Sequence, residues 1–267
     1  QIKEDLATTP SLVRPLAPAP STDAIEQLVG LLSQARRPVI LTGGGASMSS
    51  DCRTALEALL DEVQLPVYGV SWGLGLLDPD HPCAAGNSAD LAMLQFLAEP
   101  PDLVVLLGAR RGMMTGSRSA TMIPKTARVV QVDLDGAEAG RIDDAALAIT
   151  ADATETLRAL TRVAQQLPGW RDWTTTVRGV ANSHAVMYAA EPPQSDGGLH
   201  PYWAARAVVE ALPPDAVVIF DGGETAAWLS FFAGRAQPRS WFGLGAMGGL
   251  GVGQGMAIGA QVARPAQ

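Results

Sequence analysis

Histidine and cysteine are scarce in this chain: three and two, respectively, among 267 residues. Cys52 and Cys83 have neither metal-type nor redox spacing, and a chain of this size is not a disulfide scaffold, which fits a reducing, cytoplasmic setting. His81, His184 and His200 include no two spaced as metal ligands on one element. There is no G-x-S-x-G and neither cysteine has a nearby histidine, so the sequence shows no nucleophile-and-base constellation. Positive charge is also short, with 19 Lys and Arg against 27 Asp and Glu for a net charge of -8. Those basic residues are scattered, which excludes an electrostatic footprint for nucleic acid or an anionic membrane and leaves small molecules or other proteins as partners. The opening "QIKEDLATTP" lacks an initiating Met, a basic n-region and an apolar h-region. It is therefore not a signal peptide, and the expectation is a chain that begins inside a longer protein.

What is present is apolar sequence, 47% of the chain, enough for one large or two medium cores. Residues 1–20 are Pro-rich and read as a linker. Ser21 and Asp23 offer N-caps to a helix with Ile25, Leu28, Val29 and Leu32 at helical spacing. "RPVILTGGGA" follows as a short buried strand running into three glycines. A helix over about 50–63, the strand "LPVYGV", a helix near 89–98, and strands at 102–108, 127–135 and 146–151 lead to a helix at 152–167. This alternation predicts an α/β fold with a Rossmann-like parallel sheet across 21–167, its strands apolar on both faces and covered by helices. Residues 168–197 give one linking helix and a loop of Pro, Ser, Asp and Gly. The βα rhythm resumes over 198–267 with only two strands, "AVVIFD" and "SWFG", too few for a complete α/β domain.

Three glycine-bearing turns are candidate sites. Gly43, Gly44 and Gly45 lie between a strand and a helix, where backbone N–H groups can meet a phosphate, yet Met48 stands where the third glycine of a dinucleotide fingerprint belongs. A tight strand-to-helix turn is the alternative. "GARRGMMTGSR" (108–118) follows a strand at its carboxyl end, where open α/β sheets bind ligands. There Arg110, Arg111 and Arg118 either pair with phosphates or carboxylates or belong to a solvated loop. In "VDLD" (132–135), Asp133 or Asp135 reaches a ribose hydroxyl or caps a turn. The closing run from Trp241 to Ala263 is uncharged and long enough to span a bilayer, but it holds eight Gly and two Gln. Glycines clustered before a short helix suit a backbone brought close to a ligand better than a membrane span.

Taken in order, "RPVILTGGGA", "HPCAAGNSADL", "DLVVLLGAR", "ARVVQVDLDGAEAGR", "DGGETAAWLS" and "GGLGVGQGMAIGAQVA" resemble the thiamine diphosphate-dependent enzymes of the acetolactate synthase and benzaldehyde lyase group, over residues 20 to 263. "GARRGMMTG" and "GLHPYWAARAV" look closest to benzaldehyde lyase and the 2-hydroxyacyl-CoA lyases. The resemblance implies that 21–167 is a middle domain and 198–267 the start of a C-terminal domain that binds the cofactor diphosphate. It also implies that the domain with the cofactor-activating glutamate and the GDG…N magnesium motif lie outside this chain, so that no catalytic residue falls within it. Carried over residue by residue, Gly222, Gly223, Glu224 and Thr225 form the turn reaching the diphosphate. Gly248, followed by Gly249, offers a carbonyl to the aminopyrimidine, and Leu250 takes the bulky apolar position that bends the cofactor, with ordinary core packing as its alternative. Two departures stand out: Glu224 is acidic where acetolactate synthases tend to carry an amide, and Ala226 and Ala227 are small where benzaldehyde lyase has aromatic lining. The implied function is a carbon–carbon lyase or carboligase acting on 2-hydroxy ketones or 2-oxo acids, as a homodimer or homotetramer with its site between subunits. An acetolactate synthase-type transferase would carry FAD in the middle domain, and acyl-CoA lyases or decarboxylases would carry ADP there. A non-catalytic nucleotide-binding module is the reading from another class.

Overall fold

A computed structural model describes residues 16–117, 119–141, 145–181, 183–189, 194–195, 198–213, 215–232, 241–243 and 248–265. Helix α1 (Thr22–Gln34) starts at Ser21, whose side chain accepts from the Ala24 amide as the sequence predicts. Strand β1 (Pro38–Thr42), helix α2 (Gly44–Met48), helix α3 (Cys52–Val63) and strand β2 (Val67–Gly69) follow. Strand β3 (Ala84–Asn87) runs into helix α4 (Ser88–Leu97), then come strands β4 (Leu103–Leu107), β5 (Arg128–Asp133) and β6 (Ala145–Thr150). These six strands are all parallel, in the order β3-β2-β1-β4-β5-β6. The direction of winding reverses between β1 and β4, so the crevice for a ligand opens above their carboxyl ends.

Alternation along the strands sorts side chains into two cores. Ile40, Leu103, Val105, Leu107, Val130 and Val132 face α1, α3 and helix α5 (Ala153–Thr161), packing with Leu28, Leu56, Leu59 and Leu157. On the opposite face Val39, Leu41, Tyr68, Val104, Leu106 and Val129 pack with Leu91 and Leu94 of α4 and with Val177 and Val180 of helix α6 (Arg171–Ala181). Each such side chain contributes about 1.5–3 kcal/mol by leaving water.

The structure departs from the sequence reading in three places. The helix expected over 152–167 stops at Thr161 and gives way to a 3₁₀ turn at Ala164–Gln166. The strand β3 was not anticipated, because "AAGN" carries no apolar alternation. The single linking helix is two, α6 and α7 (Ser183–Ala189), and α6 belongs to the six-stranded unit: Trp170, just ahead of it, and Trp173 within it donate their indole N–H groups to the Ala35 and Pro38 carbonyls, at 3.1 and 2.9 Å.

A two-residue hairpin, β7 (Gln194–Ser195) with β8 (Gly198–Leu199), precedes helix α8 (Pro201–Ala211). The C-terminal unit then contains strand β9 (Val218–Ile219), helix α9 (Gly223–Ser230), strand β10 (Trp241–Phe242) and helix α10 (Val252–Ala263), with β9 and β10 parallel. Its small core gathers Tyr202, Ala205, Val209, Phe232 and Trp241. Among the described residues two hydrogen bonds join it to the six-stranded unit: Asn87 Nδ2 donates to the Ser230 carbonyl at 3.1 Å, and Trp72 Nε1, in the turn after β2, to the Gly243 carbonyl at 3.3 Å.

Candidate functional site

At the β1/β4 crevice the glycines are explained by contact between backbones. The Gly43 N–H donates to the Leu107 carbonyl at 3.0 Å and the Gly45 N–H to the Gly108 carbonyl at 2.9 Å. A Cβ on Gly43 would lie 2.6 Å from Ala109 Cα and press on the Gly108 carbonyl oxygen. Gly108 itself has φ +55°, and a Cβ there would press on the Ala46 nitrogen. Two of the three glycine amides are thus already partnered inside the protein, and Gly44 alone has ordinary room, with Trp72 Cβ at 3.4 Å.

Beside that turn the loop after β4 is closed by Thr115, whose hydroxyl donates to the Gly112 carbonyl at 2.9 Å. Arg110 is exposed, whereas Arg111 is only 8% exposed and its buried Nε has no hydrogen-bond partner among the described residues. A buried guanidinium without an acceptor is costly, and one at the carboxyl ends of parallel strands suits an anion. Asp133 is half-buried at the end of β5, and its Oδ1 accepts from the Asp135 N–H at 3.0 Å, a turn-capping arrangement that leaves the second oxygen free of that bond. Arg118 lies outside the described residues.

The second place is built by the two glycine turns of the C-terminal unit. Gly222, the N-cap of α9, takes φ +106° and ψ −164°, a conformation open essentially to glycine alone, and Gly223 has φ +72°. On the other turn Gly248 and Gly251 have φ +62° and +89°. Among the described residues, a Cβ on Gly223, Gly248, Gly249 or Gly251 would meet nothing within 4 Å. Thr225 is exposed, and Leu250 is 75% exposed, so core packing among the described residues does not account for it. Glu224 is turned back along its own helix, its Oε1 accepting from Trp228 Nε1 at 3.1 Å. Trp228 is in turn held edge-on by His200 and Tyr188, at 5.3 and 5.6 Å between ring centroids. Residues 244–247 lie outside the described set.

Asp221 connects the two turns, and sequence reasoning missed it. It ends β9 just before Gly222, and its Oδ2 accepts from the Gly251 N–H at 2.8 Å. The bond spans 30 residues, so the only local signal was an acidic residue closing a strand ahead of two glycines.

The remaining candidates have structural roles. His200 caps α8, with Nδ1 accepting from the Tyr202 N–H at 3.2 Å, and His81 Nδ1 accepts from the Cys83 N–H at 3.1 Å. Both cysteines are buried, and burial pushes the Cys83 thiol up to about 11. Among the described residues no group of three or more His, Cys, Asp or Glu could hold a metal, and no helix is long and apolar enough to cross a membrane. A polar cavity of about 540 Å³ lies between the sheet edge, α6 and the end of α9, lined by Tyr68, Asn87, Asp90, Arg178 and Phe231 among others. Burial first, then the Asp90 carboxylate, raise the Tyr68 phenol far above its ordinary value, and its hydroxyl has no partner.

Residues 25–160, about half of the chain, match the family model for the central domain of thiamine pyrophosphate enzymes. The chain is 27% identical over 264 residues to the acetolactate synthase isozyme 1 large subunit of Escherichia coli, which aligns with 98% of this chain and 45% of that protein. It is 33% identical over 254 residues to a probable 2-ketoarginine decarboxylase of Pseudomonas aeruginosa, across 94% of this chain and 43% of the relative. An acetolactate synthase large subunit of Parasynechococcus marenigrum is 30% identical over 254 residues, across 93% and 40%. The chain therefore spans less than half the length of these relatives. The parallel six-stranded sheet and the matched residues together lead to one conclusion: this chain belongs to the thiamine pyrophosphate enzyme family.

Proposed function

We propose that this chain supplies the middle domain (21–167, completed by α6) and the start of the C-terminal domain (198–267) of a thiamine diphosphate-dependent lyase or carboligase that makes or breaks a carbon–carbon bond next to a carbonyl. The observation that carries the reading is the pair of glycine turns, 222–223 and 248–251, whose positive φ values, with no facing side chain among the described residues, leave backbone groups open to a ligand. The turn at Gly222–Thr225 would hold the diphosphate, with Glu224 kept back by Trp228 so that its charge does not oppose the phosphates. Gly248 would offer its carbonyl to the aminopyrimidine, and exposed Leu250 would support the bent cofactor. The bound cofactor supplies the means to stabilise negative charge on a former carbonyl carbon, while the chain's residues bind and orient it. The holoenzyme would include magnesium and assemble as a homodimer or homotetramer, with the open face of the turns meeting another subunit.

Two of the relatives are acetolactate synthases and one a probable 2-ketoarginine decarboxylase, which supports 2-oxo acids as the substrate class over the aromatic aldehydes of a benzaldehyde lyase. Small Ala226 and Ala227 agree with that preference. The test is carbon dioxide release and product analysis with a panel of 2-oxo acids and 2-hydroxy ketones. The full-length protein turns over at least one of them when thiamine diphosphate and magnesium are added, and no turnover of any would sink the proposal.

A second reading concerns the β1/β4 crevice, where the buried Arg111 guanidinium without an acceptor favours a bound nucleotide, ADP or FAD. Release of a yellow chromophore on denaturation would identify flavin, and saturable ADP binding weakened in Arg111→Gln would identify the adenine nucleotide. Nucleotide binding without any response to thiamine diphosphate would instead favour a non-catalytic module.

A further inference from the structure

Asp221 stands between the two glycine turns and touches both. Its backbone leads directly into Gly222, and its Oδ2 accepts from the Gly251 amide at 2.8 Å, one residue beyond Leu250. The side chain is seated by the absence of another: a Cβ on Gly253 would lie 2.9 Å from Asp221 Cβ and 3.2 Å from its Cγ, so Gly253 makes room for the carboxylate. Oδ1 is buried and has no hydrogen-bond partner among the described residues. A half-unsatisfied carboxylate is an expensive way to cap a helix. A neutral Ser or Asn would cap α10 at lower cost, so the arrangement calls for a purpose beyond helix stability.

We propose that Asp221 is a positioning residue that sets the spacing between the turn at 222–225 and the turn at 248–251. This rests on the reading of those turns as two ends of one thiamine diphosphate site. A ligand that must reach both turns gains from their being held at a fixed separation before it arrives, because the ordering cost is then met in folding. A ligand that touches only one turn gains nothing. Asp221 should therefore matter for the whole cofactor and not for its diphosphate end alone.

The experiment is calorimetric titration of the full-length protein, wild type and variants, with magnesium plus thiamine diphosphate and, separately, magnesium plus inorganic diphosphate. Asp221→Ala is expected to weaken thiamine diphosphate by about tenfold or more, the loss of one charge-assisted hydrogen bond, while inorganic diphosphate binds as before. Asp221→Asn, whose amide oxygen still accepts from Gly251, recovers most of the affinity. Gly253→Ala, which keeps the carboxylate but displaces it, reproduces the Asp221→Ala pattern and carries the test if Asp221→Ala does not fold. In hydrogen exchange the Gly251 amide loses protection in Asp221→Ala and keeps it in Asp221→Asn. Equal loss for both ligands would show a merely structural role and overturn the proposal, as would undiminished thiamine diphosphate affinity in Asp221→Ala and Gly253→Ala. A wild-type protein that does not bind thiamine diphosphate would overturn the underlying site reading instead.

Discussion

The three glycines after β1 give a graded prediction, because the space at each is different. An alanine at Gly43 places its Cβ 2.6 Å from Ala109 Cα and 2.7 Å from Ala109 Cβ, and also against the Gly108 carbonyl oxygen, none of which is a flexible side-chain tip. Overpacking against backbone costs about 1–3 kcal/mol, and the sub-3 Å approach puts Gly43→Ala toward the upper end, at about 2–3 kcal/mol. At Gly45 the nearest atoms, Gly108 Cα and O, are both at 3.0 Å, so a smaller strain is offset by the gain of about 1 kcal/mol from alanine in a helix. At Gly44 the nearest atom is Trp72 Cβ at 3.4 Å, ordinary contact, so the same helical gain goes unopposed. The order of stability should be Gly44→Ala above wild type, Gly45→Ala near it, and Gly43→Ala well below. Thermal unfolding followed by calorimetry or circular dichroism reads this order. At about 2–4 °C per kcal/mol, Gly43→Ala lowers the midpoint by roughly 4–12 °C and Gly44→Ala raises it by about 2–4 °C. A Gly43→Ala protein as stable as wild type, with its loss confined to nucleotide affinity, would refute the close-approach explanation and restore a phosphate-loop role.

Three further outcomes follow from the same structure. A chain covering 16–181 should unfold cooperatively, whereas one cut after 167 exposes Leu91, Leu94 and Val104 by losing α6 and should bind a hydrophobic dye, as circular dichroism and dye fluorescence would report. Because burial lifts the Cys83 thiol from 9.0 to about 11, its contribution to stability is complete below about pH 9 and fades as pH rises through 11, a decline that Cys83→Ala should remove from urea titrations across that range. In this chain by itself Leu250→Ala should leave the unfolding free energy within about 0.5 kcal/mol of wild type, since the side chain is 75% exposed there, while in the full-length protein thiamine diphosphate-dependent turnover falls.

The sheet was legible wherever a strand is apolar on both faces. "PVILT" and "LVVLL" became β1 and β4, every residue buried. Strand β3 was not, because "AAGN" is held by pairing with β2 rather than by its own pattern. Helix α6 hid its role in composition: "RDWTTTVRGVA" looks polar, yet Val177 and Val180 fall on one face and meet the sheet. The candidate site was legible as glycine clusters, since the dihedrals at Gly222 are open essentially to glycine alone and the left-handed ones at Gly251 favour it. What glycine spacing could not separate was close backbone approach from ligand contact. That difference depends on what stands opposite each Cα, which is Gly108 and Ala109 for Gly43 and open space for Gly248. The role of Asp221 was beyond sequence reasoning for the same reason, and so was the burial that sets Arg111 apart from the other candidate arginines, since a partner 30 residues away and a buried Nε without an acceptor among the described residues are facts of tertiary structure.

The central claim is that the turns at 222–225 and 248–251 form one face of a thiamine diphosphate site. Protection of those segments in the full-length protein, measured by hydrogen exchange with and without thiamine diphosphate and magnesium, tests it most directly. The account predicts that both turns gain protection together on cofactor addition while the β1/β4 crevice around Gly43 and Gly108 does not change. Cofactor binding that leaves both turns unprotected, or protects only the crevice, would contradict it.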